Sequence, residues 1–314
     1  MRRLGKILRY LLVGLAALAL LVVIVGLVPD RAQIPAGEQG RHVELPGAKL
    51  RYHQVGSGPD LLLIHGLPGT IEDWKPLVPL LSSSCRMTFI DRPGHGYSSA
   101  QGHRYNVEHN ARVALELIDR LGLKNVTVVG HSYGGAVSMG MAVRNPPAVR
   151  AFVLVGAVVS SRGKHPMDPE MYALRLLVVG PGLARLIGPV IGPGKVEAGV
   201  RDAFHPNEDA MPPGFIERAQ RIWLTGRVAV TIARERSNVD RDLEQLEPRY
   251  GGIRNKLVLV HGKQDRLVSV QQAVDLHRKL PATELVLLDG VGHYVQFARP
   301  AELARVIRRV AATR

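Results

Sequence analysis

The sequence predicts an α/β architecture. A mostly parallel central sheet carries helices on both faces, a helical cap is inserted into it, and an N-terminal transmembrane helix precedes it. Three observations lead there. Short, continuously apolar runs alternate with stretches of helical spacing, as strands buried on both faces and their covering helices should. The alternation stops at residue 158 and resumes at 256, and roughly a hundred residues is too long for a plain loop. Tyr10–Val28 runs without a single charge.

In chain order, the basic residues Arg2, Arg3, Lys6 and Arg9 come first, then the apolar run. As a helix that run would be about 28 Å long, close to the hydrocarbon thickness of a bilayer. A basic flank on the leading side keeps that end in the cytoplasm and places the following domain across the membrane. A cleaved signal peptide, giving a secreted or periplasmic protein, is the competing reading. The run is longer than the usual signal core, and GLVPDRAQIP offers no clear A-x-A site, so an uncleaved single-pass anchor is favoured over residues 1–29. Residues 30–41 contain Pro, Gly and Gln without apolar period and read as a linker.

The first core segment spans residues 42–157. His42–Val55 reads as two short strands turning at Pro46-Gly47, and Leu61–His65, Arg86–Asp91, Asn125–Val129 and Ala151–Val155 as buried strands. Tyr105–Leu121 and Tyr133–Arg144 have helical spacing. Residues 158–255 form the expected cap, with helical patches at Met171–Ile187 and Ile216–Val239 and two GPG interruptions. The second core segment, 256–314, gives strands at Lys256–His261 and Glu284–Leu288 and helices at Val270–Leu280 and Pro300–Arg314.

Composition narrows the function. Of 314 residues, 46% are hydrophobic and 22% charged, as in a packed globular body. The net charge of +14 comes without zinc-finger spacing, an RNA-recognition signature or aromatics interleaved in a basic run, so nucleic acid is not an expected partner. The lone Cys85 cannot close an internal disulfide, and no H-E-x-x-H or Cys/His cluster suggests a metal. There is no P-loop and no dinucleotide fingerprint, so no cofactor is expected.

The residues that carry chemistry lie at strand ends. Gly130-His131-Ser132-Tyr133-Gly134 fits G-x-S-x-G directly between a strand and a helix. There the turn holds a serine in strained geometry, and only small neighbours leave room for it. A serine hydroxyl is a weak nucleophile that needs a base within reach and a third group to orient that base. Asp265 follows the strand KLVLV and His293 follows ELVLL, which puts acid and base at the carboxyl ends of neighbouring strands. Asp240, in the cap, is the weaker alternative acid. His261 reads as a core residue and His131 as pointing away from the site. Arg218, Arg221, Arg227, Arg234 and Arg236 read as a solvated helix face rather than an anion site.

With HGLPG at His65–Gly69, DRPGHGYS at Asp91–Ser98, GHSYGG, HGKQDRLV at His261–Val268 and GVGHYVQFARP at Gly290–Pro300, the chain from His42 to Arg314 resembles the capped members of the α/β-hydrolase family. The resemblance implies the α/β-hydrolase fold, a Ser132–His293–Asp265 triad with no cofactor, and an oxyanion hole built from the backbone N–H groups of Tyr133 and Leu67. It also implies bracing roles for Arg92 and His95. The serine at 132 departs from relatives that open epoxides or remove halogen with an aspartate at that position. Hydrolysis of a carboxylic ester with an apolar acyl or alcohol group ranks first because it needs only these parts. Carbon–carbon bond hydrolysis of vinylogous diketones is the alternative, with perhydrolase and lactonase activity beside it. A hydrolase-like binding protein without turnover would usually have lost one of the three residues. The apolar cap, with Trp223 as a wall of the substrate pocket, points to a small ester or lipid-like substrate, and the bilayer is the other expected partner.

Overall fold

A computed structural model of the chain describes residues 2–28, 33–102, 105–162, 167–176 and 179–312. The last residue of the expected anchor (29), part of the expected linker (30–32) and parts of the cap (163–166, 177 and 178) lie outside these. The strands are β1 (Arg41–Leu45), β2 (Ala48–Val55), β3 (Asp60–Ile64), β4 (Arg86–Ile90), β5 (Ser99–Ala100), β6 (Val126–His131), β7 (Val149–Val155), β8 (Lys256–Gly262) and β9 (Glu284–Leu288). They form one sheet in the order β1-β2-β4-β3-β6-β7-β8-β9, with β5 paired to β2. From β4 to β9 every pairing is parallel, and β1, β2 and β5 add an antiparallel edge.

The two faces of the sheet are read directly from the period of two along each strand. Leu62 and Ile64 of β3, Val128 of β6, Phe152 and Leu154 of β7 and Leu257 and Leu259 of β8 point into one core. That core is covered by Val107, Ala111 and Leu117 of α3 (Val107–Arg120), Val137 of α4 (Tyr133–Ala142) and Ala273 and Leu276 of α9 (Gln271–Lys279). Their neighbours Leu61, Leu63, Val129, Val153, Val155, Val258 and Val260 point the other way. There they meet Trp74, Leu81 of α2 (Val78–Leu81), Val295 of α10 (Val295–Ala298) and Leu303 and Ile307 of α11 (Pro300–Ala312).

Between β7 and β8 the chain leaves the sheet as α5 (Pro169–Leu174), α6 (Gly180–Phe204), α7 (Phe215–Trp223) and α8 (Gly226–Leu246). A separate apolar cluster, including Phe204, Phe215, Ile222, Tyr294 and Phe297, fastens this helical layer over the carboxyl ends of the strands. The expected patch Met171–Ile187 is corrected here. Helix α5 ends at Leu174, and α6 runs on to Phe204 through Pro189 and Pro193. Pro181 sits in the first turn, where its missing amide costs nothing. The interior prolines are tolerated because packing outweighs a local cost of about 3 kcal/mol each. The Pro193 carbonyl accepts from Gln220 Nε2 at 3.0 Å.

The helix α1 (Arg2–Leu27) is the one helix among the described residues long and apolar enough to cross a membrane. Most of its side chains are exposed, but its last turns pack on α6. Val22 is buried there, and a Cβ at Gly182 would fall on the Val22 carbonyl, so glycine permits the close approach. Arg185 Nη1 donates to the Val25 and Gly26 carbonyls at 2.6 and 3.3 Å, capping the negative end of the α1 dipole.

Candidate active site

Strand β6 delivers Ser132 to a turn where its backbone takes φ 54° and ψ −120°, a conformation side chains rarely adopt. The turn is held from both sides. The Ser132 amide donates to Val155 O at 2.9 Å, and the Ser132 carbonyl accepts from the Gly135 and Val158 amides at 2.9 and 3.1 Å. A Cβ at Gly130 would strike Ser138 Oγ and the Gly134 carbonyl, and one at Gly134 would strike the Ile64 carbonyl. The G-x-S-x-G spacing is therefore a steric requirement of this turn.

The loops after β8 and β9 bring Asp265 and His293 together, with His293 Nδ1 2.8 Å from Asp265 Oδ2. The other carboxylate oxygen accepts from the Leu267 and Val268 amides, each at 2.9 Å. Burial alone would raise the Asp265 carboxyl. The His293 and His261 rings, both hydrogen-bonded to it, outweigh that and hold it well below the usual carboxylate range. It is thus an anion that fixes the ring and leaves Nε2 for chemistry. His261, placed in the core by the sequence, is buried and also lies 3.1 Å from Asp265 Oδ2. Asp240, on α8, is not part of this arrangement.

Ser132 and His293 line one cavity of about 420 Å³ beneath the cap. The serine hydroxyl makes no hydrogen bond among the described residues, and such contacts commonly tighten only when substrate is bound. Leu67 and Trp223 line the same cavity. Tyr133 opens α4, and neither its amide nor that of Leu67 has an acceptor among the described residues, so both remain available as donors. The rest of the wall is largely aliphatic, from Met171, Leu174, Leu183, Ile187 and Ile191. The one lysine among the described lining residues, Lys195, is paired with Asp168 at 3.0 Å and with Glu170. Among the described residues no group of three or more His, Cys, Asp or Glu side chains could hold a metal ion.

Arg92 and His95 brace the site as the sequence suggested. Arg92 is fully buried and donates to the His65 carbonyl at 3.1 Å and the Gly66 carbonyl at 2.8 Å, holding the strand-end loop that carries Leu67. Its guanidinium also lies over the Tyr133 ring. Its charge is met by Glu235 of α8 at 2.7 Å, and His95 Nε2 stands 2.8 Å from the other Glu235 oxygen. Sequence reasoning missed Glu235, and no local signal marks it, because its partner lies 143 residues away.

Two expectations are corrected. His131 does not point away from the site; its ring lies 4.6 Å from that of His293 and stacks on Tyr294. The turn diverts the main chain, but the imidazole is long enough to reach back. Burial, then the neighbouring His293, lowers His131 to about 3, so it stays neutral. The cap arginines are not simply a solvated face either. Arg227 donates to the Gly94, Gly96 and Ser98 carbonyls, Arg234 donates to the Arg175 carbonyl, and Arg218 lies over the Phe215 ring.

A nucleophile turn at the end of a central strand, with a histidine–carboxylate pair on the loops after the last two strands, defines the class of hydrolytic enzymes with a serine at the elbow. The sequence profile of the alpha/beta hydrolase family matches residues 61–306, and the chain belongs to that family. It is 26% identical to a 2-hydroxymuconate semialdehyde hydrolase of Pseudomonas sp. (strain CF600), over 86% of this chain and 93% of that one. It is 28% identical to a 2-hydroxy-6-oxo-2,4-heptadienoate hydrolase of Pseudomonas putida, over 86% of this chain and 95% of the relative. Among solved structures, a meta-cleavage product hydrolase from Pseudomonas fluorescens IP01 superimposes with a TM-score of 0.70 at 17% identity, covering 86% of this chain and 97% of the other, a likeness of fold. The chain is a hydrolytic enzyme.

Proposed function

We propose that Ser132 attacks a substrate carbonyl while His293 takes its proton, with Asp265 orienting the ring. The amides of Leu67 and Tyr133 would stabilise the oxyanion. Preorganised donors of this kind are worth about 3–4 kcal/mol each. The bond broken is a carbon–carbon bond beside a ketone in a vinylogous diketone, whose conjugation lets carbon leave as a stabilised carbanion and accept a proton. The observation that supports this is the match, over nearly the whole folded domain, to two curated relatives named as hydrolases of a 2-hydroxymuconate semialdehyde and of a 2-hydroxy-6-oxo-2,4-heptadienoate, conjugated compounds with a carbonyl at the far end. Ester hydrolysis, ranked first on the sequence, is the second reading, and one observation favours it. Among the described residues the cavity wall is largely apolar, and the one lysine in it is already paired with two carboxylates, so that lysine is not a spare cation for a dienoate carboxyl. A panel of a vinylogous diketone, a lactone and p-nitrophenyl esters of rising chain length separates the two. Turnover of esters alone would overturn the carbon–carbon reading.

The span and its orientation are proposed on the same footing. Helix α1 stays in the membrane as a single pass, with the hydrolase domain outside the cytoplasm. The basic residues ahead of the apolar run support this, since dragging charge through a bilayer centre costs several kcal/mol. Added protease should digest the domain in cells whose outer barrier is permeabilised, and alkaline carbonate should not release the chain. A soluble product beginning near residue 29 would show signal cleavage instead.

A further inference from the structure

Beyond α1 and Val28 directly after it, the large hydrophobic side chains exposed among the described residues are Tyr172, Leu176, Leu186, Ile187, Val190, Ile191 and Leu267. Six of these seven lie in or between α5 and α6. Val190 is 80% exposed. Leu186 and Val190 are four apart and share one face of α6, which turns outward. Ile187 and Ile191, one position further on, line the cavity. The wall between the active-site cavity and this outer face is therefore one helix thick.

The same helix is the one on which α1 packs. Val22 against Gly182, and Arg185 on the Val25 and Gly26 carbonyls, fix the outgoing end of the apolar span beside the first turns of α6. The end of a spanning helix lies near the lipid–water boundary. The apolar patch begins a turn or less from that point, with Tyr172, the kind of side chain enriched at membrane interfaces, close by on α5. An exposed apolar patch adjoining a membrane anchor is matched by lipid better than by water.

We infer that the outer face of α5 and α6 rests in the bilayer surface and that the cavity draws its substrate, an apolar carbonyl compound dissolved in the lipid, through that face. This rests on the readings of α1 as a span and of Ser132 as the nucleophile. It adds the substrate's phase and its route of entry.

The full chain is placed in phosphatidylcholine–phosphatidylglycerol vesicles. A bimane fluorophore is attached at Val190→Cys or, as a control, at Lys124→Cys, which is exposed at the amino end of β6, opposite the cap; Cys85 is buried and stays unlabelled. Spin-labelled lipid should quench the fluorophore at 190 at least 3-fold more than the one at 124. Equal quenching overturns the inference, as does a 190–190 cross-link without lipid quenching, which would put a second copy of the chain on this face. In a second arm, Leu186→Asp and Val190→Asp are tested with fluorophosphonates. Labelling by a hexadecyl probe offered in the vesicles should fall at least 10-fold, while labelling by an ethyl probe from water should not change. Unchanged hexadecyl labelling overturns the inference. Failure of the ethyl probe to label wild type would refute the Ser132 reading instead, and the quenching comparison would still decide the face.

Discussion

Replacing Glu235 by glutamine leaves the shape of a buried side chain but removes the charge that faces Arg92 and His95. In the structure Glu235 is fully buried, accepts from Arg92 Nη1 at 2.7 Å and from Asn110 Nδ2 at 2.9 Å, and meets His95 with its second oxygen. Burial alone would raise its carboxyl, yet Arg92 and His95 hold it at about 2 rather than 4.5. A shift of that size corresponds to about 3 kcal/mol of stability. The folded-state value is depressed, so this stability is fully present above pH 4.5 and is lost as pH falls from 4.5 through 2. Breaking a buried pair by removing one partner independently suggests about 3–5 kcal/mol. Urea unfolding of the detergent-solubilised full chain should show Glu235→Gln less stable by about 3 kcal/mol at pH 7, with the gap closing below pH 4.5. Turnover should fall as well, by roughly 10- to 100-fold in kcat with little change in KM, because Arg92 holds the His65 and Gly66 carbonyls and so places the Leu67 donor. A variant within 1 kcal/mol of wild type at pH 7, with a gap indifferent to acid, would refute the assignment of this charge as a structural tie between cap and core.

Ser132→Ala and His293→Ala should each remove nearly all turnover while leaving the urea midpoint close to wild type, and the double variant should be little worse than either; strong residual activity in Ser132→Ala would place the nucleophile elsewhere. Asp265→Asn should lower kcat by orders of magnitude, with Asp240→Asn near wild type, and the reverse pattern in steady-state kinetics would move the acid into the cap. Trp223→Ala opens the cavity, so the preferred acyl or ketone chain should lengthen at a stability cost of about 3–5 kcal/mol; an unchanged length preference across the substrate panel would take Trp223 out of the pocket wall.

What the sequence made legible follows from where the physics is local. The strand runs at 61–65, 86–91 and 284–288 are short, apolar and bounded by turn residues, and they stand within a residue or two of the observed strands. The elbow at Ser132 could be read because the glycines that make room for it are its immediate neighbours. Asp265 and His293 could be read because each follows a strand whose apolar run marks its end. Glu235 could not, because its meaning comes from Arg92 and His95 across the molecule. Nor could the reach of His131, which depends on the rotation of a side chain at a strained turn. Helix α6 was hidden by its prolines, since local cost argues against a helix that tertiary packing then maintains.

The turn at Ser132 has one more consequence. A positive φ on a residue with a Cβ stores about 1–3 kcal/mol of backbone strain, whereas glycine would occupy the same conformation freely. The chain therefore keeps, at the position proposed for the nucleophile, a residue that its own backbone would exchange for an inert one. With Ser132 as the proposed nucleophile, a change toward greater thermal robustness at this site runs directly toward loss of activity.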